Sequence, residues 1–531
     1  MTTPKQEANA VSLDELSLGY LRRILLAPVY DVAKETELTP LHKLSARLNN
    51  QIFLKREDQQ PVHSFKLRGA YNKLSQLSEA QCMHGVVAAS AGNHAQGLAL
   101  AAGKLGIKAT IVMPITTPEI KVDNVRRLGA EVRLIGKSFN EAQSASQNIA
   151  QEEQKTLIHP FDDPDVIAGQ GTVGKEVLQQ LPHADMVFIP VGGGGLLAGM
   201  AVYIKQLRPD IKIIGVEAQD SACLKAAMDK GEPTDLSQVG LFADGVAVKR
   251  IGEHTFSLIK HYCDEVITVN SDEICAAIKD IFEHTRVIAE PAGALSLAGI
   301  SKYCQHQQDN SQQSEMAVSG KNMVAILSGA NMNFHSLRYI SERCELGEQK
   351  EAVLAVTIPE QKGSFRRFCQ SLSGRVITEF NYRYAGSPDA NIFVGVRLSG
   401  GVEERVQLQQ SLTQSQYQVR DFTDNELAKL HVRYMIGGQT PASTDERIFR
   451  FQFPEYPGAL ENFLDTLGEH WNITLFHYRN HGAAFGQVLA GFEVDESQQL
   501  AFFRHLKDLG YQWQEETKNQ AYHAFLSKNN E

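Results

Sequence analysis

Six short apolar runs, bounded by turn residues, alternate with amphipathic stretches between Ile52 and Leu327, and that alternation leaves few folds open. Val86–Ala89, Ala109–Met113, Val132–Ile135, Met186–Pro190, Lys212–Val216 and Met323–Leu327 have the length and β-branched content of buried strands. Ala95–Leu105, Glu119–Leu128, Asn140–Glu152 and Asp272–His284 carry the apolar periodicity of helices. Strands alternating with helices return parallel to one another, so this part of the chain predicts an α/β fold on a mostly parallel sheet. Gln305–Ser314 consists almost wholly of Gln, Asn, Ser, Asp and His; it is too polar to pack and is expected as a surface loop.

Beyond Gly347 the texture changes and the chain repeats itself. Leu354 to Phe365 and Phe449 to Leu460 share a strand, a Pro-Glu turn and a glycine that opens a helix. Phe380-Asn-Tyr382-Arg383 then answers Phe476-His-Tyr478-Arg479. Pro359 and Pro454 lie 95 positions apart, Tyr382 and Tyr478 lie 96 apart, so the register holds. Two α+β modules of βαββαβ type are expected, at residues 351–425 and 446–525, after a first domain spanning 1–346.

Composition narrows the function classes. The 531 residues hold 52 Lys and Arg against 62 Asp and Glu, a formal charge of -10. That balance argues against nucleic acid or an anionic membrane as the main partner. Seven scattered cysteines with no C-x-x-C pair indicate neither a disulfide framework nor a metal site. The first sixteen residues include Lys5, Glu7, Asp14 and Glu15, unlike a signal or transit peptide, so a cytoplasmic location is expected. Met186–Ile204 carries no charge, but Pro190 and Gly192–Gly195 interrupt it, which points to strand, loop and helix rather than a membrane span.

Several segments carry possible chemistry. Ser64-Phe65-Lys66-Leu67-Arg68-Gly69-Ala70 puts a lysine in a largely uncharged setting, as a lysine that attacks an aldehyde requires; read alone, it is also an ordinary surface lysine. Ser90-Ala91-Gly92-Asn93-His94 follows the strand Val86–Ala89 and opens a helix, where free N–H groups suit a carboxylate or simply form a cap. Gly192-Gly193-Gly194-Gly195-Leu196 does the same after Met186–Pro190. Four glycines let the backbone wrap a phosphate, and a tight turn is the plainer alternative. Ser328 ends the last strand, where ligands of open α/β sheets bind, and a turn serine is the alternative. Glu290-Pro291 is equally a helix start.

Two further matches are decoys. Gly169-Gln-Gly171-Thr-Val-Gly174 fits a dinucleotide fingerprint literally but does not follow a strand. With Lys175 it mimics an ATP-binding loop, yet Glu176 stands where a magnesium-binding hydroxyl is needed.

Taken together and in order, Ser-Phe-Lys-x-Arg-Gly-Ala, Ser-Ala-Gly-Asn-His, Gly-Gly-Gly-Gly-Leu, Glu-Pro-Ala-Gly-Ala and Ser-Gly-Ala-Asn resemble the tryptophan-synthase-β-like, fold-type II pyridoxal-phosphate enzymes. Within that group they are similar to the threonine and serine dehydratases. The resemblance spans roughly the first 340 residues, and the repeat resembles the paired ACT-like domains of biosynthetic threonine ammonia-lyases. It implies pyridoxal 5'-phosphate bonded to Lys66, which also takes the α-proton. It implies Asn93 on the cofactor's phenolic oxygen, Gly192, Gly193, Gly194, Gly195 and Leu196 around its phosphate, and Ser328 at its ring nitrogen. The substrate carboxylate is then held by Ser90, Ala91, Gly92, Asn93 and His94. L-threonine is the implied substrate and 2-oxobutanoate and ammonia the products. Isoleucine and valine are the implied effectors, with Tyr382 and Tyr478 as pocket residues or plain sheet packing, and a homotetramer the implied assembly. The alternatives are a degradative serine/threonine dehydratase and a non-catalytic amino-acid sensor.

Overall fold

The computed structural model describes residues 13–310, 319–334, 336–359, 364–375, 377–382, 389–432, 445–454, 463, 466–467, 471, 473–479 and 485–526. The chain divides into two compact units, Met1–Met332 and Asn333–Glu531.

Among the described residues, the first unit contains ten strands: β1 (Leu38–Pro40), β2 (Gln51–Arg56), β3 (Val86–Ala89), β4 (Ala109–Met113), β5 (Glu131–Leu134), β6 (Thr156–Leu157), β7 (Met186–Pro190), β8 (Lys212–Ala218), β9 (Glu265–Val269) and β10 (Asn322–Leu327). They form a six-stranded sheet ordered β1-β2-β10-β7-β8-β9 and a four-stranded sheet ordered β5-β4-β3-β6. Every pairing is parallel except the edge pair β1-β2. β3, β4 and β7 are buried along their whole length, as strands covered by helices on both faces must be.

The decoy glycines have a packing explanation. They lie inside the helix Pro164–Gln180, which Asp163 caps by accepting from the N–H groups of Asp165 and Val166. A Cβ on Gly199, in the helix Gly195–Leu207, would sit 2.3 Å from the Ile167 carbonyl oxygen and 2.7 Å from the Gly171 nitrogen. The two helices therefore touch backbone to backbone. The polar segment is a correction to the sequence reading: Gln305–Asn310 continue the helix Pro291–Asn310 rather than forming a loop. Gln is a good helix former, so a polar stretch can extend a helix already anchored by its buried first half. Residues 311–314 lie outside the described residues.

The second unit opens with the helix Ser336–Gly347 and then repeats one design. Strands β11 (Glu351–Pro359), β12 (Ile377–Tyr382), β13 (Asp389–Arg397) and β14 (Gln418–Asp421) form an antiparallel sheet ordered β12-β13-β11-β14. Strands β15 (Glu446–Pro454), β16 (Ile473–Arg479), β17 (Phe485–Glu493) and β18 (Gln512–Glu515) form β16-β17-β15-β18 in the same sense. Even the register irregularity recurs, between Ile377 and Glu379 and between Ile473 and Leu475. Each module has its own core, around Phe368 and Val394 in one and Phe449 and Phe492 in the other. A third cluster joins Val353, Phe393 and Phe422 to Ile448, Leu489 and Tyr522. The caps of two corresponding helices meet, Asn425 donating to Asn519 at 3.1 Å. Among the described residues, no helix is long and apolar enough to cross a membrane.

Candidate active site

The sequence-selected segments converge at the carboxyl ends of strands in the first unit. Ser64 forms a bridge with Gly329, the Phe65 N–H donates to the Ser328 carbonyl at 3.3 Å, and the Ala330 N–H donates to the His63 carbonyl at 2.9 Å. These contacts stitch the residues before Lys66 to the end of β10. Lys66 then begins the helix Lys66–Ser75. Two close approaches wedge that helix in place: a Cβ on Gly97 would lie 2.9 Å from the Leu67 nitrogen, and one on Gly169 would lie 2.6 Å from the Arg68 carbonyl. The lysine is thus set on a rigid support.

Lys66 has no ion pair within 4 Å among the described residues. Burial holds its ammonium below the usual lysine range, with the charges of Glu290 and Asp244 acting the other way. His94 is buried, its Nε2 has no hydrogen-bond partner among the described residues, and burial together with Lys66 and His159 pushes it down to about 3. It stands neutral at ordinary pH. Ser90 follows β3 and accepts from the N–H groups of Gly92 and Ala95, both at 3.3 Å, which fixes the turn into the helix Asn93–Leu105. Ala91 packs beside the core of the four-stranded sheet, while a Cβ on Gly92 would meet nothing within 4 Å, so that side of the turn is open.

The glycine loop is shaped by what its missing side chains would strike. A Cβ on Gly193 would fall 2.3 Å from the Phe161 ring, and one on Gly192 3.0 Å from the Val246 Cα. Gly194 has a positive φ of 90°, which glycine adopts freely, and caps the helix Gly195–Leu207. Leu196 lies buried in the first turn of that helix. The loop's other side is tied down by Thr255, whose hydroxyl donates to the Gly193 carbonyl at 2.8 Å. The result is a backbone cradle at a helix N-terminus, which fits an anionic phosphate. Ser328 is buried, its hydroxyl donating to the Ala292 carbonyl at 3.3 Å.

Four neighbours of these residues were given no role from the sequence. Glu290 is buried and accepts from Asn93 Nδ2 at 2.6 Å. Burial and the nearby Asp244 push its carboxyl up to about 7, against the Asn93 bond and the charges of Lys121 and Lys66. Asp244 pairs with Lys121 at 2.6 Å. Asn331 donates to Asn93 Oδ1 at 2.7 Å. The Glu-Pro and Ser-Gly-Ala-Asn motifs contained Glu290 and Asn331; nothing local marked Asp244 or Lys121, which only the fold brings near. Tyr382 and Tyr478 take equivalent places in the second unit, opposite Ile392 and Val488 in their sheets, though their side chains lie outside the described residues.

Comparison with known proteins identifies the family. Residues 29–329 match the family described as pyridoxal-phosphate dependent enzyme. Residues 342–432 and 438–526 each match the C-terminal regulatory domain of threonine dehydratase. The biosynthetic L-threonine dehydratase of Escherichia coli is 58% identical over 508 residues, 96% of this chain and 97% of the relative. The chain belongs to the biosynthetic threonine dehydratases. The mitochondrial threonine dehydratase of Saccharomyces cerevisiae is 48% identical over 97% of the chain and 91% of the relative. The processed form of threonine deaminase isoform 2 from Solanum lycopersicum has 48% identity and a TM-score of 0.60, covering 62% of this chain and 94% of that one. A threonine dehydratase of this family is a pyridoxal-phosphate-dependent lyase that converts threonine to 2-oxobutanoate and ammonia, here followed by two regulatory domains.

Proposed function

We propose that Lys66, Asn93, the Gly192–Leu196 loop and Ser328 hold pyridoxal phosphate, and that Lys66 is the base of the reaction. The observation that carries this reading is the desolvated lysine, stitched through Ser64 and Phe65 to Gly329 and Ser328. A lysine whose charged form is disfavoured has its neutral amine available both for the cofactor's aldehyde and for a proton. The glycine cradle takes the phosphate. Ser328 offers a neutral hydroxyl at the ring nitrogen, which does not enforce a protonated ring as a carboxylate would. When bound, the cofactor supplies the electron sink that acidifies the α C–H of the amino acid.

The turn Ser90–His94 receives the substrate carboxylate, since N–H groups at the start of the helix Asn93–Leu105 favour an anion and neutral His94 adds no competing acid. Lys66 takes the α-proton and the β-hydroxyl leaves with a proton as water. The dehydrated enamine becomes the imine, and one water is then consumed in hydrolysing that imine to 2-oxobutanoate and ammonia. The catalytic domain spans 1–346 and the regulatory modules 351–425 and 446–525. Isoleucine inhibits through the modules and valine opposes it, with Tyr382 and Tyr478 lining the pockets. The enzyme is cytoplasmic, and it is homotetrameric as the family resemblance implies.

The test is 2-oxobutanoate formation from L-threonine with and without isoleucine. Turnover that isoleucine suppresses and valine restores supports the whole reading. Turnover indifferent to isoleucine keeps the dehydratase but points to a degradative enzyme or another effector, and isoleucine inhibition unchanged in both Tyr382→Ala and Tyr478→Ala removes the two tyrosines from the pockets. No turnover with cofactor bound leaves a sensor.

A further inference from the structure

We propose that Glu290 and Asn331 are positioning residues that lock the Asn93 side-chain amide in one of its two flip states, with Gly329 leaving the room they need. This rests on Asn93 facing the cofactor as read above. An asparagine amide is nearly symmetric in shape but not in chemistry: one edge only donates and the other only accepts. Which edge faces which neighbour therefore depends on the partners.

Here the partners fix the answer from one end to the other. The Val62 carbonyl can only accept, and it takes a hydrogen bond from Asn331 Nδ2 at 2.8 Å. That assigns the donor edge of Asn331. Its second N–H must meet an acceptor, and it meets Asn93 Oδ1 at 2.7 Å. Asn93 Nδ2 is then committed to the other side, where it donates to Glu290 Oε1 at 2.6 Å. Flipping Asn93 would set oxygen against the Glu290 oxygen and nitrogen against the Asn331 nitrogen, losing both buried bonds.

The chain uses one of the two Nδ2 hydrogens and leaves the second as a fixed donor for the cofactor's phenolic oxygen. Donation there holds that oxygen as the anion. Gly329 makes the arrangement possible, because a Cβ on it would fall 2.2 Å from Glu290 Oε1 and 3.2 Å from Asn93 Nδ2. The Gly245 turn closes over the same atoms, 3.6 Å from Glu290 and 4.0 Å from Asn93 by the same measure. When Glu290 is protonated its carbonyl oxygen still accepts from Asn93 Nδ2, and the Asn331 end, fixed by the Val62 carbonyl, then holds the orientation.

Near-isosteric changes separate orientation from packing and from charge. In Glu290→Gln the amide oxygen still accepts, so the holoenzyme should keep the cofactor's long-wavelength absorption band, and its dissociation constant for pyridoxal phosphate should stay within about threefold. In Asn331→Asp the donor edge becomes acceptor-only against both Val62 and Asn93 Oδ1. Asn93 is then driven to flip, the band should shift toward shorter wavelength, and cofactor affinity should fall about tenfold, with kcat lowered more than KM. Glu290→Leu should resemble Asn331→Asp; if it does not fold, the Gln and Asp variants decide alone. An unmoved band and unchanged affinity in Asn331→Asp would overturn the proposal, as would Glu290→Gln matching the damage of Asn331→Asp. Asn93→Ala separates the levels. If it leaves the band unmoved, the placement of Asn93 at the cofactor is wrong; if it moves the band while Asn331→Asp does not, only the lock is wrong.

Discussion

Lys66 and Arg68 stand two residues apart on one helix, and both are cations taken out of water, yet their surroundings differ in kind. Arg68 is fully buried and fully answered. Its Nε and Nη2 each donate to Glu57 at 2.8 Å, and its Nη1 donates to Glu176 at 2.6 Å and to Thr172 at 3.1 Å. Glu176 also takes Lys55 at 2.6 Å, so each charge in the group has a countercharge and the remaining donors have acceptors. Those carboxylates keep Arg68 well above its ordinary range despite burial. Lys66, by contrast, has Glu290 and Asp244 near enough to be felt but no ion pair, and burial wins. Complete compensation makes a structural anchor, and incomplete compensation leaves a group whose protonation can change. The decoy position Glu176, which spoiled an ATP-loop match, has its role on the anchoring side.

If that contrast is right, the two neighbours fail in opposite ways when removed. Lys66→Ala should lower 2-oxobutanoate formation by on the order of 10⁴-fold or more while the apoprotein's unfolding midpoint barely moves. Turnover within tenfold of the parent would remove Lys66 from the chemistry. Arg68→Met should instead destabilise the first unit by about 3–5 kcal/mol, because Glu57 and Glu176 would stay buried with too little positive charge. Urea unfolding followed by circular dichroism measures this. A loss below about 1 kcal/mol would mean that the cluster is no anchor, and the distinction from Lys66 would lapse.

Much of this contrast was legible before any fold was known, but unevenly. β3, β4 and β7 lie where their apolar runs placed them, because a strand covered on both faces must be apolar throughout. The repeat was legible through its matched prolines and tyrosines, and the sheets share order and bulge. Ends were less clear: β5 starts one residue earlier than expected, and the helix Pro291–Asn310 absorbs Gln305–Asn310 because helix propensity tolerates polar residues. Lys66, Asn93, the glycines and Ser328 lie in segments with local signatures. Asp244 and Lys121 do not, since their pairing spans 123 residues and exists only once the chain has closed.

Glu290 tests the uncompensated side from the standpoint of stability. Its carboxyl is pushed from 4.5 up to about 7. The folded protein therefore favours the protonated form, and this group's contribution is fully present below pH 4.5. It is lost as pH rises through 7, where the unfolded chain already prefers the ionised form. The shift corresponds to roughly 3 kcal/mol at neutral pH and above. Glu290→Gln removes that titration, so the apoprotein variant should be more stable than the parent at pH 8, and the gap should close as pH falls toward 4.5. Thermal unfolding of both proteins across that range measures the difference, and other titrating groups cancel between them. A gap that does not depend on pH would show that Glu290 is compensated after all, more like the Arg68 cluster than like Lys66.

The smallest expected effect concerns a contact without charge. Gly193 faces the Phe161 ring, where a Cβ would sit 2.3 Å from three ring atoms. The ring has a neighbour of its own to keep it in place, since His159 packs edge-on against it at 4.7 Å. Gly193→Ala should therefore displace the loop, at a cost of about 1–3 kcal/mol in overpacking. If the displacement falls on the bound phosphate, the dissociation constant for pyridoxal phosphate should rise roughly ten- to a hundredfold. Cofactor titration of the apoenzyme reads this directly. Adding Phe161→Ala opens the space again, so the double variant should recover most of the affinity. An unchanged constant in the single variant would show that the loop's shape is not what holds the phosphate. A loss that Phe161→Ala does not relieve would mean the strain lies in the backbone of residue 193 itself rather than in its contact with the ring.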